Sequence, residues 1–264
     1  ITSTITIAVD DANSDDDFDA IADQTVSVNT LDDDTAGFTV EETDGSTEVN
    51  ESGTTDTFTI VLDAQPTNDV VVLATASNDE TEATVSGSIT FTSENWDTPQ
   101  TVTVTGVDDD LVDGDQTYDI TISIVDTISD DEFDGVADQS ISSTTIDDDT
   151  PGFTIEETDA ATEVDESGST DTFTVVLDAQ PTSDVVLTVT SDDTGEATVN
   201  SPLTFTPVNW DTPQTVTVTG ADDDLVDGTI TSTITIAVDD ANSDDGFDGL
   251  DDQTVSVDTL DDDT

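Results

Sequence analysis

The chain has 264 residues, of which 66 are Asp or Glu and none is Lys, Arg, His, Cys or Met, so its formal charge is -66. That composition excludes an imidazole base, a thiolate or amine nucleophile, a soft-ligand zinc site and a side-chain cation to hold phosphate, and it leaves neither disulfides nor Lys-Asn isopeptide bonds to brace a fold. Nucleic acid and anionic lipid are bound mainly through Lys and Arg, so neither is an expected partner, and hard cations are the natural small ones.

High charge with few aromatics suits a disordered chain, but the pattern of the residues argues otherwise. DTFTIVLD from Asp56, TVTVT from Thr101 and TYDITISIV from Thr117 alternate apolar and polar residues with period two and are rich in β-branched types. No comparable period of 3.6 occurs. No apolar run approaches the roughly 18 residues of a membrane helix. The chain reads as all-β, with the acid carried by its loops.

In chain order, residues 1–35 come first and match residues 230–264 at all but five positions. They read as the C-terminal part of an incomplete upstream repeat. Such a piece leaves an apolar face and strand edges uncovered, so either a longer polypeptide or a second subunit adding strands is expected to complete it. A chain opening at Ile1 favours the first, as a processed product or a window of something longer.

Residues 36–150 form the first full repeat and 151–264 the second. GFTVEETD at Gly37 recurs as GFTIEETD at Gly152, DTFTIVLDAQPT at Asp56 as DTFTVVLDAQPT at Asp171, and NWDTPQTVTVTG at Asn95 recurs at Asn209. Within the first repeat, strands are predicted near Phe38, near Val49, and over 57–62, 70–75, 88–92, 101–105, 117–125 and 140–146. Their number and the repeat length match an immunoglobulin-like antiparallel β-sandwich. The inward set is expected to be Phe58, Ile60, Leu62, Val71, Ile89, Phe91, Val102, Val104, Ile120, Ile122 and Ile124, with Trp96 and Trp210 closing one end of each core.

Three signatures recur in order in each repeat: Val-x-Glu-x-Gly (EVNESG, EVDESG), the loop DDDLVDG, and a closing strand that ends in three Asp. Together they resemble the Calx-β domains of sodium-calcium exchangers, an integrin subunit and many bacterial surface proteins, and the resemblance spans each whole repeat. It implies tandem Calx-β-type sandwiches in which the early Glu, the central loop and the terminal triplet converge at one end and bind Ca2+. Carried over by motif, the ligands are Glu51, Asp108, Asp109, Asp113, Asp147, Asp148 and Asp149 in the first repeat. In the second they are Glu166, Asp222, Asp223, Asp227, Asp261, Asp262 and Asp263, while Asp32, Asp33 and Asp34 are the surviving part of the upstream site.

Physical chemistry points the same way. Calcium accepts six to eight oxygens in tolerant geometry, and gathered carboxylates repel by about 1 kcal/mol per pair at 4 Å even in water. Each triplet ends one repeat just before the next begins (DDDTAGF, DDDTPGF), so an ion there sits at the joint and stiffens a flexible string into a rod. The competing account is a merely soluble acidic surface. Where the family often has a Gly-Ser-Asp-Tyr stretch this chain has NDETEATVSG and SDDTGEATVN, which leaves a second, adjacent ion in doubt. The loop acids Asp15, Asp16 and Asp19, with Asp130, Asp131, Asp134, Asp244, Asp245 and Asp248, are either a further weak site or a solvated loop.

These features predict a calcium-stiffened extracellular structural repeat protein, a stalk, fibre or filament on or outside a bacterial cell, whose partners are calcium ions and neighbouring repeats or identical subunits. The alternative is an adhesin-type module recognising a glycan or protein. Enzymatic turnover is not expected, because paired carboxylates that hydrolyse glycosides need an aromatic-lined cleft and the chain has two Trp and one Tyr.

Overall fold

The computed structural model describes residues 1–77, 81–159 and 161–263. Asn78, Asp79 and Glu80, part of the NDETEATVSG stretch, therefore lie outside the described residues, as do Ala160 and Thr264. The protein is all-β, and no helix among the described residues is long and apolar enough to cross a membrane.

The chain opens with an antiparallel hairpin, β1 (Thr2–Ile7) and β2 (Gln24–Asn29). Nine strands follow in the first repeat: β3 (Phe38–Glu42), β4 (Thr47–Asn50), β5 (Thr55–Leu62), β6 (Val70–Ala76), β7 (Ala83–Val85), β8 (Ile89–Phe91), β9 (Gln100–Gly106), β10 (Gln116–Ile124) and β11 (Gln139–Ile146). The second repeats the plan with β12 (Phe153–Glu157), β13 (Thr162–Asp165), β14 (Thr170–Leu177), β15 (Val185–Ser191), β16 (Ala197–Val199), β17 (Leu203–Phe205), β18 (Gln214–Gly220), β19 (Ile230–Val238) and β20 (Gln253–Leu260). Each repeat has a four-stranded sheet, β3-β5-β9-β7 or β12-β14-β18-β16, and a five-stranded one, β4-β11-β10-β6-β8 or β13-β20-β19-β15-β17.

Period-two alternation translates directly into burial. Phe58, Ile60 and Leu62 of β5, Val102 and Val104 of β9, and Ile120 and Ile122 of β10 are all buried in one apolar cluster, with intervening Thr residues turned outward. Phe173, Val175, Val216, Val218, Ile234 and Ile236 do the same in the second cluster. Each such side chain removed from water contributes about 1.5–3 kcal/mol. Trp96 and Trp210 are half-buried against their clusters, and each accepts a backbone hydrogen bond, from Leu62 and Leu177 respectively.

Three expectations are corrected. In the run Val70-Val71-Val72-Leu73 it is Val70 and Val72 that are fully buried, with Val71 half-exposed, because β6 pairs with β10 in the register Ile124↔Val72 and Ile122↔Ala74. A one-residue change of parity moves every side chain to the other face. Ile89 is also only half-buried, at the edge of its sheet. Finally, the sandwiches are not wholly antiparallel: β4 runs parallel to β11, and β13 parallel to β20.

Candidate metal centre

The parallel pairs are what assemble the acidic end. Because β4 and β11 point the same way, with Asn50 opposite Ile146, their next residues, Glu51 and Asp147, leave the sheet side by side. The Glu51 amide donates to the Ile146 carbonyl at 3.2 Å, and Glu166 repeats this with Leu260 at 3.1 Å. The facing sheet delivers the loop after β9 to the same end, since Ala83 at the start of β7 pairs with Gly106 at the end of β9. Glu82, just before β7, is thereby held against this loop, its carbonyl accepting from the Val107 amide at 2.8 Å and the Thr145 hydroxyl at 3.2 Å. A side chain at Gly106 would force the backbone apart, because its Cβ would stand 2.1 Å from the Asn50 carbonyl oxygen. Glycine here lets the two sheets close on the site.

Carboxylate oxygens of Glu51, Asp147 and Asp149 all lie within 4.8 Å of one another. In the second repeat the same spacing joins Glu166, Asp223 and Asp263, and separately Glu196, Asp223 and Asp227, so that Asp223 belongs to two adjoining sets. Glu51 and Glu166 are each 1% exposed, and Glu196 is 7% exposed. Buried oxygens of Glu51, Glu82, Asp113 and Asp149, and of Glu166, Glu196 and Asp263, have no hydrogen-bond partner. At 4.8 Å two such charges repel by about 3 kcal/mol at an effective dielectric of 20, and the chain has no cationic side chain to relieve them.

Burial and mutual repulsion shift the acidities of these groups. Burial, then the charges of Asp109, Asp147 and Glu82, pushes Glu51 up to about 7. Burial, then Asp147, Asp110, Asp148 and Asp109, pushes Asp149 up to about 6. Glu82, Asp113, Glu166, Glu196 and Asp263 are raised by the same two causes in the same order. Asp261 goes the opposite way, because the Gly228 and Asp263 amides donate to it at 2.8 Å each. Asp147 has the same two bonds, from Gly114 at 2.7 Å and Asp149 at 2.8 Å. The first Asp of the triplet in each full repeat, Asp147 or Asp261, is thus a clamp that fixes both the loop and its own triplet.

The loop also reaches the next repeat. Gln180 donates its amide to the Asp110 carbonyl at 2.7 Å and accepts from the Val112 amide at 2.9 Å, forming a parallel bridge with Leu111. Val112 packs on the second apolar cluster. Among the described residues, this contact and the chain segment after Asp149 both start at the acidic cluster.

Not every motif residue joins the groups. Asp109 and Asp113 stand close enough to perturb Glu82, while Asp108 and Asp222 are exposed at the loop's edge. Asp148 donates its backbone amide to Glu51 but turns its side chain to solvent, and Asp262 is exposed like it. Asp32, Asp33 and Asp34 are exposed, and among the described residues no other acidic group gathers with them. Glu82 and Glu196 are additions to the motif set: they occupy the stretch where an Asp was sought, as the Glu of TEATV and GEATV. Asp110 and Asp224, the third Asp of each loop, are additions too, lying near Asp149 and Asp263.

The loop acids of the SDDxFDG stretch divide differently. Asp130 is buried and accepts from the Thr67 amide and hydroxyl and the Asn68 amide at 2.7–2.8 Å, and from Glu132 at 3.2 Å. Burial alone would raise it, but these bonds outweigh burial and hold it below the usual carboxylate range. Asp244 is the same bolt in the second repeat, through Thr182, Ser183 and Gly246. These two are structural ties and are already fully engaged.

No family model matches the sequence, and no curated protein matches it. Among solved structures, the chain is similar to the calcium binding domain CBD12 of CALX1.1, with 14% identity over 75% of this chain and 80% of that one, at a TM-score of 0.32. It is similar also to domains 4 and 5 of the S-layer protein SbsC, with 16% identity over 86% of this chain and 99% of that one, at 0.33. For domains 1–6 of SbsC the figures are 17% identity, 91% and 30%, at 0.34.

Proposed function

We propose that the protein is a calcium-stiffened structural repeat of an extracellular stalk, fibre or filament at a cell surface, acting by spacing and rigidity and not by turnover. The observation that carries this reading is the set of buried, unpartnered carboxylate oxygens at the same end of both repeats, in a chain without a cationic side chain. Burying such charge without a counter-ion is costly, and an exogenous cation is the counter-ion available. The donor set is all carboxylate oxygen, which suits a hard cation, and calcium tolerates a protein-only oxygen cage more readily than magnesium, with its demand for a small octahedron. Glu51, Asp147 and Asp149 would hold the ion in the first repeat, with Glu82, Asp109 and Asp113 around it. Glu166, Asp223 and Asp263, and Glu196, Asp223 and Asp227, would hold one or two in the second.

Bound calcium supplies positive charge where these carboxylates repel. The residues of the chain then transmit the effect: Asp147 fixes the loop through Gly114, and the loop fixes Gln180 of the next repeat. The test is a calcium titration of the chain against an EDTA control, reading thermal midpoint and small-angle scattering. The expected result is a higher midpoint and a more extended, less flexible particle. Identical midpoints and scattering in both conditions would refute the proposal.

A further inference from the structure

Behind the acidic end, the two repeats differ at one buried position. β10 carries Tyr118 on its inward face, opposite Ser143 of β11, whereas β19 carries Ser232 there, opposite Val257 of β20. Tyr118 is 7% exposed, and its hydroxyl accepts from the hydroxyls of Ser143 at 3.1 Å and Thr145 at 3.2 Å. Thr145 also reaches the Glu82 carbonyl at 3.2 Å, so a polar chain runs from the core to the backbone of a residue at the acidic end. In the second repeat the ends of that chain are kept and its middle is missing. Thr259 is fully buried, and its hydroxyl meets the Glu196 carbonyl at 3.4 Å. Ser232 is 1% exposed, and among the described residues its hydroxyl has no hydrogen-bond partner.

We propose that the second repeat binds a buried water between Ser232 and Thr259, which takes the place of the Tyr118 phenol and braces Glu196 through Thr259. The same strand pairings fix the frame in both repeats. Ala83 meets Gly106 as Ala197 meets Gly220, and Tyr118 opposes Ser143 as Ser232 opposes Val257. Within that frame a serine stops one bond past its Cβ, where tyrosine continues through a ring to the threonine hydroxyl, and Val257 in place of Ser143 returns little of the lost volume. The gap therefore has a hydroxyl at each end. A buried water needs a roomy site and at least two polar partners, and this gap supplies both. A dry gap would leave the Ser232 hydroxyl buried and unpaired, which costs more than a hydrogen bond of ordinary strength returns. Glu196, whose carbonyl the chain reaches, belongs to the Glu196, Asp223 and Asp227 set, so the brace bears on how that set is presented to an ion. In that consequence the inference rests on the calcium reading, but in the water it does not.

The test compares the full wild-type chain with S232A and with S232Y/V257S, which swaps the first repeat's phenol into the second and removes the valine beside it. Oxygen-17 relaxation dispersion in EDTA, where no ion-bound water contributes, counts long-lived internal waters, and S232Y/V257S should hold fewer than the wild type. Calorimetry in the same buffer should show a lower midpoint for S232A, because it removes one of the water's two hydroxyl partners, and a midpoint at or above the wild type for S232Y/V257S. An equal count of long-lived waters in the wild type and S232Y/V257S would overturn the inference. So would an S232A midpoint at or above that of the wild type, since deleting an orphaned hydroxyl relieves its cost, and this result decides alone if the double variant does not fold. In calcium, S232A should bind the ion several-fold more weakly at one class of sites, and an unchanged affinity would overturn the bracing of Glu196. A wild type that binds no calcium would refute the proposed function and leave the water inference standing.

Discussion

Replacing Glu51 with Gln should change the sign of its effect when calcium is added. Glu51 is almost fully buried, and one carboxylate oxygen has no partner. Its rise from 4.5 to about 7 corresponds to about 3 kcal/mol against ionisation, reduced to about 2 by solvent screening at the open end of the sandwich. In EDTA at pH 8, E51Q removes that charge and should stabilise the first repeat by about 2 kcal/mol, or about 8 °C in midpoint for a unit of this size. In calcium at one hundred times its Kd the wild type gains about 2.7 kcal/mol per site, and E51Q should forfeit most of it. Calorimetry in the two buffers should therefore show the variant above the wild type in EDTA and below it in calcium. A variant less stable than the wild type in EDTA, or one with an undiminished calcium response, would refute the argument that Glu51 is a strained ligand.

The remaining predictions separate the cluster from the scaffold. Glu51 and Asp149 have folded values of about 7 and 6, above those of an unfolded carboxylate, so the metal-free folded state holds extra protons. Its stability should then fall as pH rises from about 4 to 7, while in calcium it should rise over the same range as the ion displaces those protons, as urea unfolding at stepped pH would show. D130A should lose about 2–3 kcal/mol with and without calcium, because it orphans the amides of Thr67 and Asn68. An effect present only in calcium would count against its structural role. V112D should leave calcium binding in the first repeat measurable by calorimetry but abolish the calcium-dependent extension seen by scattering, because it removes the contact with the second cluster. G106A should destabilise by about 3 kcal/mol or more in either buffer, since its Cβ would meet the Asn50 carbonyl at 2.1 Å.

The all-β class and most inward residues were legible in the sequence for one reason. A strand with a buried face must alternate, and duplication displays the same alternation twice. The residue types of the candidate site were legible as well, because carboxylates are the charged side chains this chain has to gather. β7 escaped notice because three residues, Ala83–Val85, are too few to show a period. Val71 was misassigned because three consecutive valines carry no parity, which only pairing with β10 supplies. Glu82 stood in plain view, but its place beside Asp113 depends on Ala83 meeting Gly106 across the four-stranded sheet.

The sequence by itself thus determined which residues could be buried and which could bind a cation, since burial and charge are properties of side chains taken one at a time. Only the tertiary structure decided which of them meet. Strand direction is not written in a local pattern, and it is the parallel pairing of β4 with β11 that sets Glu51 beside Asp147. The Leu-Val pair of each acidic loop has the same sequence in both repeats. It is docked at Leu111 and Val112 and bare at Leu225 and Val226 because burial there depends on a neighbouring surface and not on the residues themselves.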